Sequence, residues 1–386
     1  MTADRSSFFI ALVAIDVLAG LADAVSGPYI VLFLVDQAHL SPVLLSAVLT
    51  ARAVAGIAFA TGFGAWADRK TTIAPLLMAL AGSAIGYALL GFTTRFALLM
   101  VIAALPLAIG AATFSQSIAL AKRGFERASP HTANRAIGVI RASWSLAWAI
   151  GPAVGAVVVG GFGFRGVFFV SAGFSAAALA ALAFLRTKPA SVEPGRGKRP
   201  KPPNGGPAIG LAFTALTLFH TAMFLGSIPL AIVMTTSLGG RESDVGLAFS
   251  LCAGLEIVVM GAIIWRPLDR AERPAIVAGF AAFVVYFVAL ALAQSVGAVL
   301  WSQILRAIGI GLVSYLGIGF MQSFMPHRAG TAALFSNAGQ LGSIFASLGV
   351  GVLAQAFGYP FVFVACAVLS VAGLVLVCLA PAAAPE

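Results

Sequence analysis

Charged residues are scarce in this sequence. Only 9% of its 386 residues are Asp, Glu, Lys or Arg, whereas 60% are hydrophobic, and the mean hydropathy is +1.02. A soluble domain has about 25% charged residues. The composition therefore excludes an ordinary water-soluble protein.

Cysteine is equally scarce, with Cys252, Cys366 and Cys378 as the three thiols. All three lie inside apolar stretches, and their odd number and wide spacing provide neither a disulfide framework nor a CxxC metal motif. We interpret them as small packing residues. No metal or other cofactor is predicted.

Long apolar runs make up most of the chain. A membrane-spanning helix needs about 20 mostly apolar residues, and the first run extends too far to be the h-region of about 7–15 residues in a cleaved signal peptide. We predict an all-α membrane protein with twelve spans at residues 7–35, 41–67, 72–92, 95–121, 132–160, 164–186, 207–236, 241–267, 273–293, 296–324, 328–357 and 359–382.

The basic residues predict the orientation. If the amino terminus is inside, the outer loops contain Arg95, Arg165 and Arg241, whereas Lys and Arg are concentrated in the inner loops. This is the positive-inside pattern, so both termini are predicted to be cytoplasmic. The net charge of +10 is thereby explained by topology, and no nucleic-acid partner is predicted.

The chain has two similar halves. Residues 187–206 are polar, basic and rich in Pro and Gly, which predicts a flexible linker between bundles at 1–186 and 207–386. Asp68-Arg69 recurs as Asp269-Arg270 and Pro28 as Pro229, each 201 positions later. Such repeats predict a substrate site near the membrane midplane, at the interface between the halves.

The segment GAWADRK, from Gly64 to Lys70, resembles the loop signature of the major facilitator superfamily. The Gly-Arg pair that ends the signature is replaced here by Thr71-Thr72. An acid beside a helix amino terminus and an adjacent arginine suit a gate at the inner face. The predicted conformational latch comprises Gly64, Asp68, Arg69, Asp269 and Arg270; the alternative is that these charges only set the topology.

Further segments narrow the resemblance. AIGPAVGA at 149–156 resembles the helix-5 signature of antiporters, with Gly151, Pro152 and Gly155 as packing residues, although packing by itself explains the two glycines. AGLEI at 253–257 and MQSFMPHRAGTAALFSNAG at 321–339 are similar to the sugar efflux transporter family. This resemblance implies export of small sugars or glycosides by alternating access, with proton exchange.

Polar and aromatic residues inside the spans are the substrate-site candidates. Arg141, Ser145 and Trp148 share a helix face, and a charge within the membrane is costly unless it faces a cavity or a partner. We expect Arg141 to donate hydrogen bonds to sugar hydroxyls or to Glu256. The predicted substrate-binding residues are Gln116, Arg141, Trp144, Trp148, Tyr315, Asn337 and Gln340. Ordinary packing for the tryptophans and interhelical hydrogen bonds for the amides are the alternatives.

Four ionisable residues inside spans are the proton-coupling candidates: Glu256, Asp23, His220 and Arg52. Glu256 is the preferred proton carrier, and His220 is a candidate relay. Asp23 has a second interpretation, as a structural partner that neutralises Arg52. Asp16 lies nearer the inner end of its span and is expected to matter less.

Other function classes fit the sequence less well. HExxH, GxSxG and GxxxxGK[ST] do not occur, so metalloprotease, serine-hydrolase and ATP-driven activities lack their motifs. A multidrug antiporter is the closest alternative, because Glu256 and Trp144 could hold a lipophilic cation. A solute-gated channel fits the repeat poorly. The expected partners are a small sugar, protons and the lipid bilayer, and a monomer is predicted.

Overall fold

The computed structural model describes residues 3–70, 72–125, 130–184, 206–266, 272–324 and 331–380, and within these ranges the regular structure is helical without β-strands. The first half contains α1 (Ala3–Leu32), α2 (Pro42–Lys70), α3 (Ala74–Leu90), α4 (Phe96–Ile102), α5 (Ala108–Gly110), α6 (Thr113–Phe125) and α7 (Pro130–Phe184). The second half contains α8 (Pro207–Ile232), α9 (Glu242–Trp265), α10 (Glu272–Ala291), α11 (Val296–Ser323), α12 (Thr331–Phe357) and α13 (Tyr359–Leu379).

The helix lengths agree with the predicted spans. Among the described residues, ten helical stretches are long and apolar enough to cross a membrane, and Ala74–Leu90 is a shorter apolar helix. One of the ten, Arg135–Leu182, has 48 residues and holds two crossings, because Gly163 interrupts α7 with φ 64° and ψ −171°. A π-helical turn at Ala103–Leu107 joins α4 to α5, so that α4 to α6 form one crossing. With α7 counted as two helices and the shorter Ala74–Leu90 included, the described residues contain twelve apolar helical segments, the number predicted.

Two compact units make up the chain. The amino-terminal unit contains residues 1–40 and 47–196, and the carboxyl-terminal unit contains residues 41–46 and 197–386. Within the first unit, α1 packs along α7, which also contacts α3 and α6; within the second, α8 packs against α12 and α13, and α10 against α11 and α13. The predicted linker lies outside the described residues except for Gly206, so its bounds stay a prediction.

The repeat is visible in the backbone of the two units. A π-helical turn follows α1 at Phe33–Gln37, and another follows α8 at Val233–Ser237. Two residues after each turn the chain adopts a positive φ, 49° at His39 and 67° at Gly239. A non-glycine residue rarely adopts this conformation. The recurrence of the π-helical turn and the positive φ 200 positions later supports the duplication inferred from the sequence.

Candidate functional site

An ion pair and a tyrosine form a polar cluster in the amino-terminal unit. Oδ1 of Asp23 on α1 accepts hydrogen bonds from Nη2 of Arg52 on α2, at 3.3 Å, and from the Tyr87 hydroxyl on α3, at 3.0 Å. The Asp23 and Arg52 side chains are 31% and 26% exposed. Pairing reduces the cost of placing both charges in an apolar bundle. The structure thus brings Asp23 and Arg52 together, and it adds Tyr87, which the sequence reasoning missed.

A buried arginine organises a second cluster, in the carboxyl-terminal unit. Arg306 on α11 is only 6% exposed. Its Nη2 donates to Oγ of Ser227 on α8, at 2.7 Å, and its Nη1 donates to Oε1 of Gln303, at 3.3 Å. Its guanidinium carbon lies 4.9 Å from the ring centroid of Phe249 on α9, a cation–π arrangement.

Glu256 lies beside the Arg306 cluster. It follows Phe249 by seven residues on α9, which places both on one helix face. Glu256 is close enough to interact electrostatically with Arg306, although these two described residues do not form an ion pair. A carboxyl group and a guanidinium that lie near each other without forming an ion pair can each bind a further group, such as a ligand hydroxyl or a proton.

The Arg306 cluster was not predicted from the sequence, although a signal was present. Arg306 is the basic residue of an otherwise apolar span, and the argument that singled out Arg141 applies to it equally. Its partner Ser227 is the repeat counterpart of Ser26, because the offset of 201 that joins Pro28 to Pro229 also joins the two serines.

Gln116 and Arg141 have different surroundings. Gln116 on α6 is 3% exposed, and its Oε1 has no hydrogen-bond partner among the described residues. Arg141 on α7 is exposed. At 100° per residue it lies on the side of α7 opposite the exposed apolar residues Leu146 and Ile150. The structure therefore separates Arg141 from the apolar exposed stripe of its own helix.

The two predicted tryptophans lie along the contact between α7 and α1. Trp144 packs on Phe114, with ring centroids 4.8 Å apart, and also lies against Gly20. The Trp148 ring lies against Gly27. Both tryptophans are half-buried, and their contact with a ligand stays a prediction.

The substrate candidates in the carboxyl-terminal unit do not join the Arg306 cluster. Tyr315 is 43% exposed, and it follows Arg306 by nine residues, which places it on the opposite face of α11. Asn337 is exposed and Gln340 is half-buried, both on α12. Their role in binding stays a prediction.

His220 is a buried residue between α8 and α12. Its Nδ1 lies 2.7 Å from the carbonyl oxygen of Leu216, and since a carbonyl can only accept, Nδ1 carries the hydrogen. The ring meets Phe335 edge-on at 5.3 Å, and it lies beside Gly339 on α12. These contacts give His220 a packing role, while a relay function stays a prediction.

The predicted latch is only partly described. Asp269, Arg270 and the side chain of Asp68 lie outside the described residues, and Arg69 is exposed at the end of α2. A methyl group at Gly64 would meet no atom within 4 Å, so close packing does not explain that glycine. Its role in gating stays a prediction.

Gly151 and Gly155 lie where α7 packs tightly against α1. A methyl group on Gly151 would collide with Ala24, and one on Gly155 would collide with the Tyr29 ring and lie 2.5 Å from a backbone carbonyl oxygen of α1. The Tyr29 hydroxyl donates to the carbonyl of Pro152, at 3.0 Å. All three residues of the predicted packing motif thus lie at this helix contact.

Gly155→Ala is expected to lower the stability of the protein by about 1–3 kcal/mol, the usual cost of overpacking. Gly160→Ala is the matched control, because a methyl group there meets nothing within 4 Å and alanine favours a helix over glycine. Thermal unfolding of the purified variants in detergent measures the difference. Equal melting temperatures for the two variants would contradict the close contact.

Sequence comparison identifies the family. The sequence profile of the Major Facilitator Superfamily matches residues 12–230, more than half of the chain. The chain belongs to the Major Facilitator Superfamily. Its apolar helices and duplicated halves fit this assignment, and the prediction of the superfamily is confirmed.

Relatives place the chain in the sugar efflux transporter family of this superfamily. It is 36% identical to a protein of Deinococcus radiodurans assigned as a sugar efflux transporter, over 92% of this chain and 93% of the relative. It is 28% identical to Sugar efflux transporter A of Escherichia coli, over 97% of both chains. These relatives and the superfamily are transporters, so the chain is a transporter and not an enzyme.

Solved structures of the superfamily share the fold. The nucleoside transporter NupG, in a mutant form, aligns with a TM-score of 0.79 and 13% identity, over 97% of this chain and 99% of that one. A bacterial homologue of the human lysosomal transporter Spinster aligns with a TM-score of 0.75 and 16% identity, over 98% of this chain and 97% of that one. At this level of identity the likeness concerns the fold.

Proposed function

We propose that this transporter exports small sugars or glycosides across a bacterial cytoplasmic membrane by alternating access, in exchange for protons. The observation that carries the proposal is the Arg306 cluster, a buried guanidinium held by a hydroxyl, an amide and an aromatic ring inside an apolar helical unit. A charge at this depth is expensive and marks a functional site. The names of the relatives, which are sugar efflux transporters, supply the substrate class.

The chemistry of the cluster suits a sugar. Arginine has five N–H donors, and the contacts to Ser227 and Gln303 leave others of Arg306 for substrate hydroxyls. Aromatic rings accept the apolar face of a sugar ring, and Phe249 is the candidate for this contact within the cluster. Trp144 and Trp148 of the amino-terminal unit remain separately proposed substrate contacts. Arg141, on the side of α7 away from its apolar stripe, remains a proposed substrate contact.

Glu256 is the proposed proton carrier of the carboxyl-terminal unit. Asp23 is held by hydrogen bonds from Arg52 and Tyr87, whereas Glu256 has no such fixed partner among the described residues. In an exchange mechanism sugar and proton bind alternately, so Glu256 would lose its proton as the sugar arrives and regain it as the sugar leaves. Both termini are proposed to face the cytoplasm, as the basic inner loops predict.

Counterflow in proteoliposomes tests the proposed function. With unlabelled sugar inside, labelled glucose, lactose or a thiogalactoside is expected to accumulate transiently, and other sugars should compete with it. Protein-free liposomes are the control. Competition by lipophilic cations, in the absence of competition by sugars, would indicate a multidrug antiporter instead.

A further inference from the structure

Asp16 is a fully buried acid in the amino-terminal unit, with an exposed fraction of 0%. Its neighbours along α1 and on α7 include Leu12, Ile15, Ala19 and Ile140, which belong to an apolar core cluster. An isolated carboxylate in such surroundings carries a large desolvation cost. The acid therefore needs either a cation or a proton.

Among the parts of the chain that the structure describes, no cation supplies the compensation. Among the described residues, no lysine or arginine forms an ion pair with Asp16. The described charged side chains on α1, α6 and α7 that could face it are either exposed or bonded elsewhere. They are the exposed Lys122, Arg135 and Arg141, Arg123 with its bonds to the Ala67 and Ala119 carbonyls, and Asp23 with its bonds to Arg52 and Tyr87.

The hydrogen bonds around Asp16 accommodate a proton. Oγ of Ser143 lies 3.1 Å from Oδ2 of Asp16, and it also lies 2.9 Å and 3.1 Å from the carbonyl oxygens of Ile140 and Val139 on its own helix. If Oδ2 is protonated, Asp16 donates to Ser143, and Ser143 donates to one of the two carbonyls. The neutral acid therefore keeps its contact with Ser143.

The surroundings of the same carboxyl group offer two neutral hydroxyl groups and no charge. Besides Ser143, Ser117 on α6 is a hydrogen-bonding neighbour of Asp16, although Oδ1 of Asp16 and Oγ of Ser117 have no hydrogen bond of good geometry among the described residues. Two neutral hydroxyl groups compensate a buried carboxylate less than a cation would. The neutral acid avoids that desolvation cost.

We propose that Asp16 is a proton-binding site of the amino-terminal unit, occupied by a proton in the conformation described here and emptied during the transport cycle. The carboxylate takes the proton from water on one side of the membrane and releases it as the carboxylic acid ionises toward the other side. The release requires that the α1–α7 contact over Asp16 admits water. The release of the proton during transport rests on the proposed function, whereas the presence of the proton on Asp16 does not.

Infrared spectroscopy of the purified protein in lipid tests for the proton directly. At neutral pH we expect the C=O stretching band of protonated carboxylic acids to lose one component in Asp16→Asn and to keep it in Asp23→Asn, the matched acid on the same helix. Ser143→Ala keeps the acid and removes its hydrogen-bond partner, so the band should move to higher frequency. An identical band in the wild type and Asp16→Asn would overturn the proposal.

Transport measurements test whether the proton moves. Asp16→Asn is a neutral replacement of the same shape and is expected to keep sugar-for-sugar counterflow while losing sugar accumulation driven by a pH gradient. If Asp16→Asn accumulates sugar as the wild type does, the proposal that the proton on Asp16 is transported is overturned. If wild-type protein moves no sugar at all, the proposed function fails, and the infrared band still decides whether Asp16 holds a proton.

Discussion

Sugar counterflow is expected to fall roughly tenfold to a hundredfold when Arg306 is replaced by alanine, because a hydrogen bond to a charged group contributes about 1.5–3 kcal/mol. The truncation removes the guanidinium from its place over Phe249 and leaves Ser227 and Gln303 without their donor. It also removes the positive charge near Glu256. Initial counterflow rates at equal amounts of reconstituted protein measure the effect.

Two further variants separate charge from geometry at this position. Arg306→Lys keeps the charge but loses the planar fork of donors, so its rate should lie between those of Arg306→Ala and the wild type. Arg165→Ala removes an exposed arginine and is expected to transport normally. A wild-type rate in Arg306→Ala would remove this cluster from the transport mechanism.

Asp23→Asn and Arg52→Gln are each expected to lower both stability and transport. Each change leaves the partner charge inside the bundle without compensation, and Asp23→Asn also weakens the bond from Tyr87. Removing one partner of a fully buried pair costs about 3–5 kcal/mol. Because these side chains are 31% and 26% exposed, water screens the loss, and we expect about 1–3 kcal/mol. Thermal unfolding in detergent measures it.

The double variant provides the decisive comparison. If Asp23 and Arg52 stabilise each other, the loss in Asp23→Asn/Arg52→Gln should be smaller than the sum of the two single losses. Transport should remain impaired in the double variant if the pair also takes part in the transport cycle. Strictly additive losses of stability would show that the contact at 3.3 Å contributes nothing.

The partners of the polar residues could be predicted only in part. Asp23 and Arg52 are opposite charges on successive spans, so their pairing was one of the two interpretations that the sequence offered. Tyr87 and Ser227 carry no charge and have no local motif. Arg306 had a clear signal in its position within a span, and the sequence reasoning overlooked it.

Asp16 illustrates a different limit. Its place toward the inner end of its span suggested a residue of little importance, whereas it is fully buried beside Ser143. Most of these helices are apolar on all sides, so the sequence pattern does not mark which face turns inward. The burial of one acid depends on how α1 is rotated against α7, and that rotation is set by contacts between residues more than a hundred positions apart.

By itself the sequence determined that this chain crosses a membrane, how many times it crosses, and to which transporter family it belongs. Those properties depend on local quantities, because the thickness of the bilayer sets the length of an apolar span and family motifs are short segments. Only the tertiary structure decided which polar groups meet inside each unit. Arg306 forms a hydrogen bond with Ser227, which is 79 positions away in the sequence, and Asp16 forms one with Ser143, which is 127 positions away. Such contacts form because buried polar groups require hydrogen-bond partners, which helix packing brings together from distant parts of the chain.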